Sequence, residues 1–471
     1  MPIGDSRTSI RTRGRMICVM VLAAAFAPPS VEAIPAFARK YATSCQTCHS
    51  VFPKLNAFGE AFRFQGYRMP KETEEMVKDQ PTSLGAPAYK KLWPNAVWPG
   101  EISSHAPLAV VLKFANVNTS NLNSDGTTST IRNDFRFPEE LNLFAAGTLG
   151  DHLSVYSEVT FAVNSDYSVS TEVEHAHLGI DSPFGPENLF HFRIGRVNPN
   201  IGEFFVETMK ESDAGIESIF NYNPIGINGG TALGADAVTP QPISIPTKAP
   251  AFEVYGIVSH RLFYTAGVMG GISAGNGQFG NNSKDFYARV DYKFGGMGFD
   301  GDMGGREAPE KNWRDNSFRI GAFAYRGNAS GVNFPTTVSP GNMVNIQDDH
   351  FWRAGGFASA FIGDLNVFGV YLTGKDTLRQ FDQTTGAFLS QIEPDYHAFF
   401  LEADYVFYPW LHGAARYEEL TPGDRTVPSI RTGTFTVSAL VRANVKAMLE
   451  YQRDLREAQN HSLNAILRMA F

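Results

Sequence analysis

The residues with the clearest chemistry are Cys45, Cys48 and His49, in the run Ala42-Thr43-Ser44-Cys45-Gln46-Thr47-Cys48-His49. Two thiols three residues apart can add to the two vinyl groups of one porphyrin. The adjacent imidazole then falls beneath the iron as the proximal ligand. Cys-x-x-Cys-His therefore reads as the covalent attachment site of one haem c, with thioether bonds at Cys45 and Cys48 and His49 on the metal. A thioredoxin-like redox pair uses the same Cys spacing but opens a helix after a strand in a βαβ unit, and no such unit surrounds it. A zinc site needs four ligands. The chain has three cysteines, Cys18 among them, and the next histidine is His105.

The following stretch supports a cofactor. Phe52, Leu55, Phe58 and Phe62 recur at helical spacing between Lys54, Glu60 and Arg63, which predicts a helix with Pro53 in its first turn and its end at Gly66-Tyr67. Its apolar stripe would cover a haem face. Met69 lies 20 residues past His49, close enough to fold back as the sixth ligand. A histidine donated by the wall of the barrel expected below, or an open position, are the alternatives. A module spanning residues 34–75 is too small to bury a haem by itself and must lean on a larger structure.

Export agrees with this chemistry, because haem c is attached outside the cytoplasm. Arg7, Arg11, Arg13 and Arg15 precede an apolar run from Met16 to Ala27, then the small-residue site Val31-Glu32-Ala33. This is the plan of a secretory signal peptide, residues 1–33, cleaved after Ala33. Its apolar run is too short to span a bilayer. The whole chain carries a net charge of −8, and losing a basic leader makes the mature chain more acidic still. A nucleic-acid-seeking surface is excluded on that ground. Without Cys18, the two haem cysteines leave no disulfide framework.

Beyond a polar, Pro-rich linker at 76–103, the pattern changes to period two. Leu463, Ala465, Leu467, Met469 and Phe471 alternate with Ser462, Asn464, Arg468 and Ala470, with Ile466 out of step. Val445, Ala447, Leu449 and Tyr451 alternate with Lys446, Met448, Glu450 and Gln452. The same plan recurs at 435–441, 399–407 and 286–293. Each segment has one apolar face about ten residues long and one charged face, which suits a membrane barrel around an aqueous lumen. Aromatics make up 13 % of the chain and cluster near segment ends, as at Phe407-Tyr408-Pro409-Trp410, where a membrane interface would hold them. Short connections (146–150, 362–364, 408–410, 442–444) alternate with long ones (119–128, 199–250, 327–349, 376–392). No run outside the leader is long enough for a helical span.

The expected fold class is thus all-β. An outer-membrane β-barrel of about 16 antiparallel strands occupies 104–471, with a small N-terminal α-helical monohaem cytochrome c segment. The strands fall near 104–118, 131–145, 151–164, 171–181, 188–198, 251–258, 262–272, 284–293, 314–326, 350–361, 364–375, 393–407, 411–420, 429–441, 444–455 and 461–471. An even count puts both ends of the barrel on the periplasmic side. Sixteen strands enclose a water-wide pore. Glu402, Asp404, Arg416, Glu418, Glu450, Asp291, Arg289 and Lys293 would line it, and the haem segment would fill part of it.

The terminal strand closing on Phe471 resembles the assembly signal of bacterial outer-membrane barrels. Cys45-Gln-Thr-Cys48-His49, then Phe52-Pro53-x-Leu55-Asn56-x-Phe58-Gly59 and Gly66-Tyr67, ahead of such a barrel, resemble the fused cytochrome-porin family of outer-membrane cytochromes that oxidise Fe(II). The resemblance implies a bacterial outer-membrane location, with the haem accessible from the periplasm. It implies electron transfer between an extracellular donor such as Fe(II) and a periplasmic cytochrome or copper protein, in contact with outer-membrane lipid. It carries over haem attachment at Cys45 and Cys48 and ligation at His49, and leaves Met69 open. Two further function classes compete: a porin whose haem serves sensing, transport or outward electron flow, and a periplasmic haem enzyme such as a peroxidase. The last lacks an acid–base His or Glu near the motif. Glu203 and Glu207 in the 199–250 excursion read as solvated loop, and His175 with His177, two apart on one strand face, as too few ligands for a metal site.

Overall fold

Alternation of apolar and charged residues at period two can be satisfied only if one face of each strand meets lipid or core and the other meets water or partners. In a computed structural model the chain resolves this by closing a barrel. The structure describes residues 36–41, 43–70, 82–83, 91–95, 101–102, 106–122, 126–164, 166–201, 209–215, 245–246, 248–270, 284–339, 342–382, 387–425 and 428–471. The leader, Glu203 and Glu207, and most of the linker lie outside these residues.

Sixteen antiparallel strands form the wall: β1 (Leu108–Leu122), β2 (Thr128–Leu149), β3 (Leu153–Val163), β4 (Val169–Asp181), β5 (His191–Val197), β6 (Ala249–Val258), β7 (Leu262–Gly270), β8 (Lys284–Gly295), β9 (Ser317–Ser339), β10 (Asn342–Ile362), β11 (Leu365–Asp382), β12 (Asp395–Tyr408), β13 (Leu411–Pro422), β14 (Ile430–Arg442), β15 (Val445–Asp454) and β16 (His461–Ala470). Each pairs with its sequence neighbour. The sheet closes where β16 meets β1, from Ala470 opposite Val111 to His461 opposite Ser120. Phe471 adds a reciprocal pair with Val110, its N–H donating to the Val110 carbonyl at 2.8 Å. Closure pairs both edges of every wall strand among the described residues, at least along its central part.

The wall is inside-out. Glu402 and Arg416 are 0 % and 3 % exposed, whereas Phe435 and Leu449 are 59 % and 57 % exposed. All eight charged residues expected in the lumen are buried there, and the alternating Leu, Phe, Val and Tyr residues face outward. A water-soluble sheet could not tolerate an apolar belt of this extent. The distribution is that of a barrel in lipid. Ile466, out of step in the sequence, is buried in an inward-facing cluster with Ala115, Val117 and Met448.

All sixteen expected segments coincide with wall strands. The differences lie at the ends. A tilted membrane strand needs about 9–11 residues, yet β9, β10 and β11 run for 23, 21 and 18 residues. They carry the sheet into stretches expected to be loops, and a further strand, Phe388–Ile392, pairs only with the outer part of β11. The connection from β8 to β9, at 296–316, forms turns and no strand.

A candidate cofactor site inside the barrel

The attachment motif is held by backbone contacts that its own side chains arrange. Ser44 caps a single 3₁₀ turn, Cys45–Thr47. His49–Val51 then pairs with Lys54–Leu55 across a tight turn at Phe52-Pro53. The helix expected from Phe52 onward therefore begins later. Helix α2 spans Ala57–Phe64, and helix α1 spans Ala36–Lys40. The reason is Asn56. Its side chain accepts from the Gly59 N–H at 2.9 Å as the N-cap, and its amide donates to the Thr47 carbonyl at 3.0 Å. Gly59 lies so close to the motif that a Cβ there would stand 2.0 Å from the Cys48 carbonyl oxygen. Gly66 and Tyr67 end α2 in the left-handed region, at φ 66° and 64°. Their place as the helix stop agrees with the sequence.

This segment sits within the barrel and is tied to the wall around the rim formed by the short connections. Lys54 pairs with Asp404 and donates to Asn366 Oδ1 at 2.8 Å, Glu60 pairs with Arg319, and Arg68 pairs with Asp181 at 2.8 Å. Tyr255 donates to the Phe64 carbonyl at 3.2 Å, and Gln65 donates to the Asp300 carbonyl at 2.8 Å. The motif itself touches two connections. Asn312 donates to the Gln46 carbonyl, and Gln46 donates to the Pro409 carbonyl at 3.3 Å. None of these wall partners except the lumen carboxylates carries a signal in the sequence, because each is chosen by proximity across hundreds of residues.

Between the segment and strands β1–β5 lies a cavity of about 800 Å³. Cys45, Cys48, His49 and Met69 all line it, together with His175 and His177 from β4. Its size falls in the range of cofactor pockets, roughly 300–1,000 Å³. Met69 is buried against Tyr41 and Phe62, with Phe37, Cys48, Phe58 and Tyr67 packed around them. Tyr67 stacks on Phe37 on one side and on Tyr156 of β3 on the other, at centroid distances of 5.1 and 5.4 Å. The aromatic stack thus carries the segment across to the wall.

The donor set fits a covalent porphyrin better than the alternatives. Cys45 and Cys48 are not bridged to each other. Burial, and then the neighbouring Cys45, push the Cys48 thiol up to about 12, and burial raises Cys45. Thiols so held are poor thiolates, which disfavours a redox pair and costs nothing to a thioether. Burial pushes His49 down to about 4, so its imidazole is neutral. Its Nδ1 is 2.9 Å from the Pro53 carbonyl oxygen. A carbonyl only accepts, so Nδ1 carries the proton and Nε2 keeps its lone pair for a metal. Among the described residues no group of three or more His, Cys, Asp or Glu side chains is placed to hold a bare metal ion.

The lumen above is narrowed by a returning piece of the long 199–250 excursion, expected to be a solvated loop. Asp213 pairs with Lys113 and Arg468 at 2.7 and 2.5 Å, and the Asp213 and Ala214 N–H groups donate to Glu450 at 2.7 and 2.8 Å. Arg416 pairs with Glu402 and Glu418 and donates to the Gly215 carbonyl at 2.7 Å.

No protein-family model matches the chain, and no curated protein does. Among solved structures it is similar to the outer-membrane protein OmpT of Vibrio cholerae, with 11 % identity, a TM-score of 0.48, and 79 % of this chain covering 99 % of that one. It is similar to the anion-selective porin from Comamonas acidovorans, with 13 % identity, a TM-score of 0.46, and coverage of 77 % and 98 %. It is likewise similar to the outer-membrane channel DcaP of Acinetobacter baumannii, with 12 % identity, a TM-score of 0.45, and coverage of 77 % and 96 %. The chain is a closed antiparallel β-barrel of sixteen wall strands with an N-terminal Cys-x-x-Cys-His segment seated in its bore.

Proposed function

We propose that this protein is an outer-membrane electron-transfer cytochrome that passes electrons between an extracellular donor, Fe(II) above all, and a periplasmic cytochrome or copper protein. One observation carries the reading: Cys45, Cys48 and His49 line a cofactor-sized cavity within an inside-out barrel. Cys45 and Cys48 would hold a haem c by thioether bonds, and His49 would present Nε2 to its iron. When bound, that group supplies one-electron chemistry at the iron. The chain does the rest. The Pro53 carbonyl fixes the His49 tautomer, and Asn56 with Gly59 fixes the attachment loop on α2. Asn312 and Pro409 hold the motif's edge at the rim of short connections, where a periplasmic partner would approach. The outward apolar belt supports a setting in hydrocarbon, which electrons do not otherwise cross.

Purified protein should first show covalent haem by a pyridine haemochrome spectrum after denaturation. Stopped-flow mixing with ferrous salt at neutral pH should then reduce it. A haem that stays ferric under excess Fe(II), yet reduces with dithionite, sinks the Fe(II) reading.

The second reading is a porin whose haem serves transport or sensing, or that carries electrons outward. The charged lumen of Glu402, Arg416, Glu418 and Glu450 favours it, since an electron conduit has no need of ion-pairing groups along the bore. Steady ion conductance in a planar bilayer would select transport or sensing if no electrons enter proteoliposomes holding a reducible dye, and the outward route if electrons pass only from the inside to an external acceptor.

A further inference from the structure

Resting on the haem reading above, we propose that His177 of β4 would ligate the haem iron together with His49, so that the N-terminal segment and the barrel wall would both hold it. His177 lines the same cavity as Cys45, Cys48 and His49. It is 8 % exposed, and among the described residues its Nδ1 has no hydrogen-bond partner. Its ring contact is with Tyr156, at a centroid distance of 5.7 Å and an interplanar angle of 30°. A buried imidazole nitrogen that no protein group satisfies is costly, and such groups are rare unless a ligand satisfies them. A coordinate bond to iron does so. The aromatic stack points the same way: Tyr156 meets Tyr67 of the N-terminal segment, so His177 stands on the stretch of wall that faces this segment across the cavity.

Met69 has a thioether that needs no polar partner and is buried by Tyr41 and Phe62. His175 lies on the same face of β4 and lines the same cavity, with its Nε2 turned to the Glu158 carboxylate at 3.8 Å, beyond hydrogen-bond distance, so the His175→Ala variant is what separates the two imidazoles. Ligation by two imidazoles also sets the redox behaviour, since a second imidazole holds the potential below that of a thioether-ligated haem.

The experiment uses the full-length protein in detergent. Haem content is read by pyridine haemochrome on denatured protein, which reports covalent attachment whatever the axial ligands. Ferric spin state is read by electron paramagnetic resonance, and barrel folding by heat-modifiable migration on gels. Wild type should be low-spin with a bis-imidazole signal. His177→Ala should keep its haem and turn high-spin, with added imidazole restoring the low-spin signal, and Met69→Ala should leave the spectrum unchanged. His177→Met, which preserves bulk, should show the weak long-wavelength absorption of thioether-bound ferric haem and a higher potential. The proposal is overturned by a haem-loaded wild type that is high-spin, by a His177→Ala or His177→Met spectrum identical to wild type, or by Met69→Ala or His175→Ala turning high-spin. A wild type with no covalent haem overturns the haem reading itself, and this proposal with it.

Discussion

Asn56 and Gly59 do at the residue scale what the cysteines cannot do alone. Ahead of the His49–Val51 strand the attachment loop has one 3₁₀ turn, so its shape is borrowed from α2 through the Asn56 amide and the contact of Gly59 with the Cys48 carbonyl. Gly59→Ala drives a methyl into that carbonyl, and overpacking of this kind costs about 1–3 kcal/mol. The expected outcome is a folded barrel with a lower fraction of covalently attached haem, read by pyridine haemochrome against barrel content on gels. Undiminished attachment would show that the close approach is dispensable. Asn56→Ala removes an N-cap, worth about 1 kcal/mol, and should lower attachment less. The Cys45, Cys48 and His49 spacing is legible in the sequence as it stands. The start of α2 is not: the phenylalanine spacing extends back to Phe52, but a helix begins where its orphan N–H groups find a cap, and that residue is Asn56.

The element that most departs from its sequence pattern is the piece at 209–215. Read along the chain it belongs to a long polar excursion, and nothing in its periodicity says that it re-enters the bore. It does so because the bore's inward charges need partners: Asp213 supplies one to Lys113 and Arg468, and its backbone N–H groups satisfy Glu450. Removing one member of a buried ion network costs about 3–5 kcal/mol. Asp213→Ala should therefore release this piece from the wall and raise single-channel conductance in planar bilayers, and unchanged conductance would mean that the segment does not set the bore. The same element is pH-sensitive. Burial holds Glu211 up at about 7 against an ordinary 4.5, with Glu402 raising it further and Lys446 opposing. The folded state binds the extra proton between those values, so the contribution to stability is present at low pH and lost as pH rises through 7. Hydrogen exchange at residues 211–214 should show protection falling between about pH 4.5 and 7 beyond the intrinsic pH effect and levelling off above that, and Glu211→Gln should abolish the fall.

At the scale of the whole molecule the barrel was written in the sequence almost strand by strand. Period two, an apolar face and a charged face are local properties that survive translation into geometry, as the burial of Glu402 and exposure of Phe435 attest. What local pattern cannot contain is the seam between the N-terminal segment and the wall, since Lys54 and Asp404 are 350 residues apart. That seam decides whether the molecule is an open pore or a filled one. Lys54 and Asp404 are both nearly fully buried, with side-chain exposures of 5 % and 6 %. Truncating Lys54 alone leaves a carboxylate in the wall without its counter-charge, at a cost of about 3–5 kcal/mol, whereas neutralising both partners restores most of it. Lys54→Ala should loosen the segment, seen as faster limited proteolysis within residues 36–70 and a larger bilayer conductance. Lys54→Ala with Asp404→Asn should be closer to wild type in both assays than Lys54→Ala alone. If the two substitutions instead add, the pair does not hold the seam. The segment would then be retained by the remaining rim contacts, Glu60 with Arg319 and Arg68 with Asp181, and those pairs become the ones to cut.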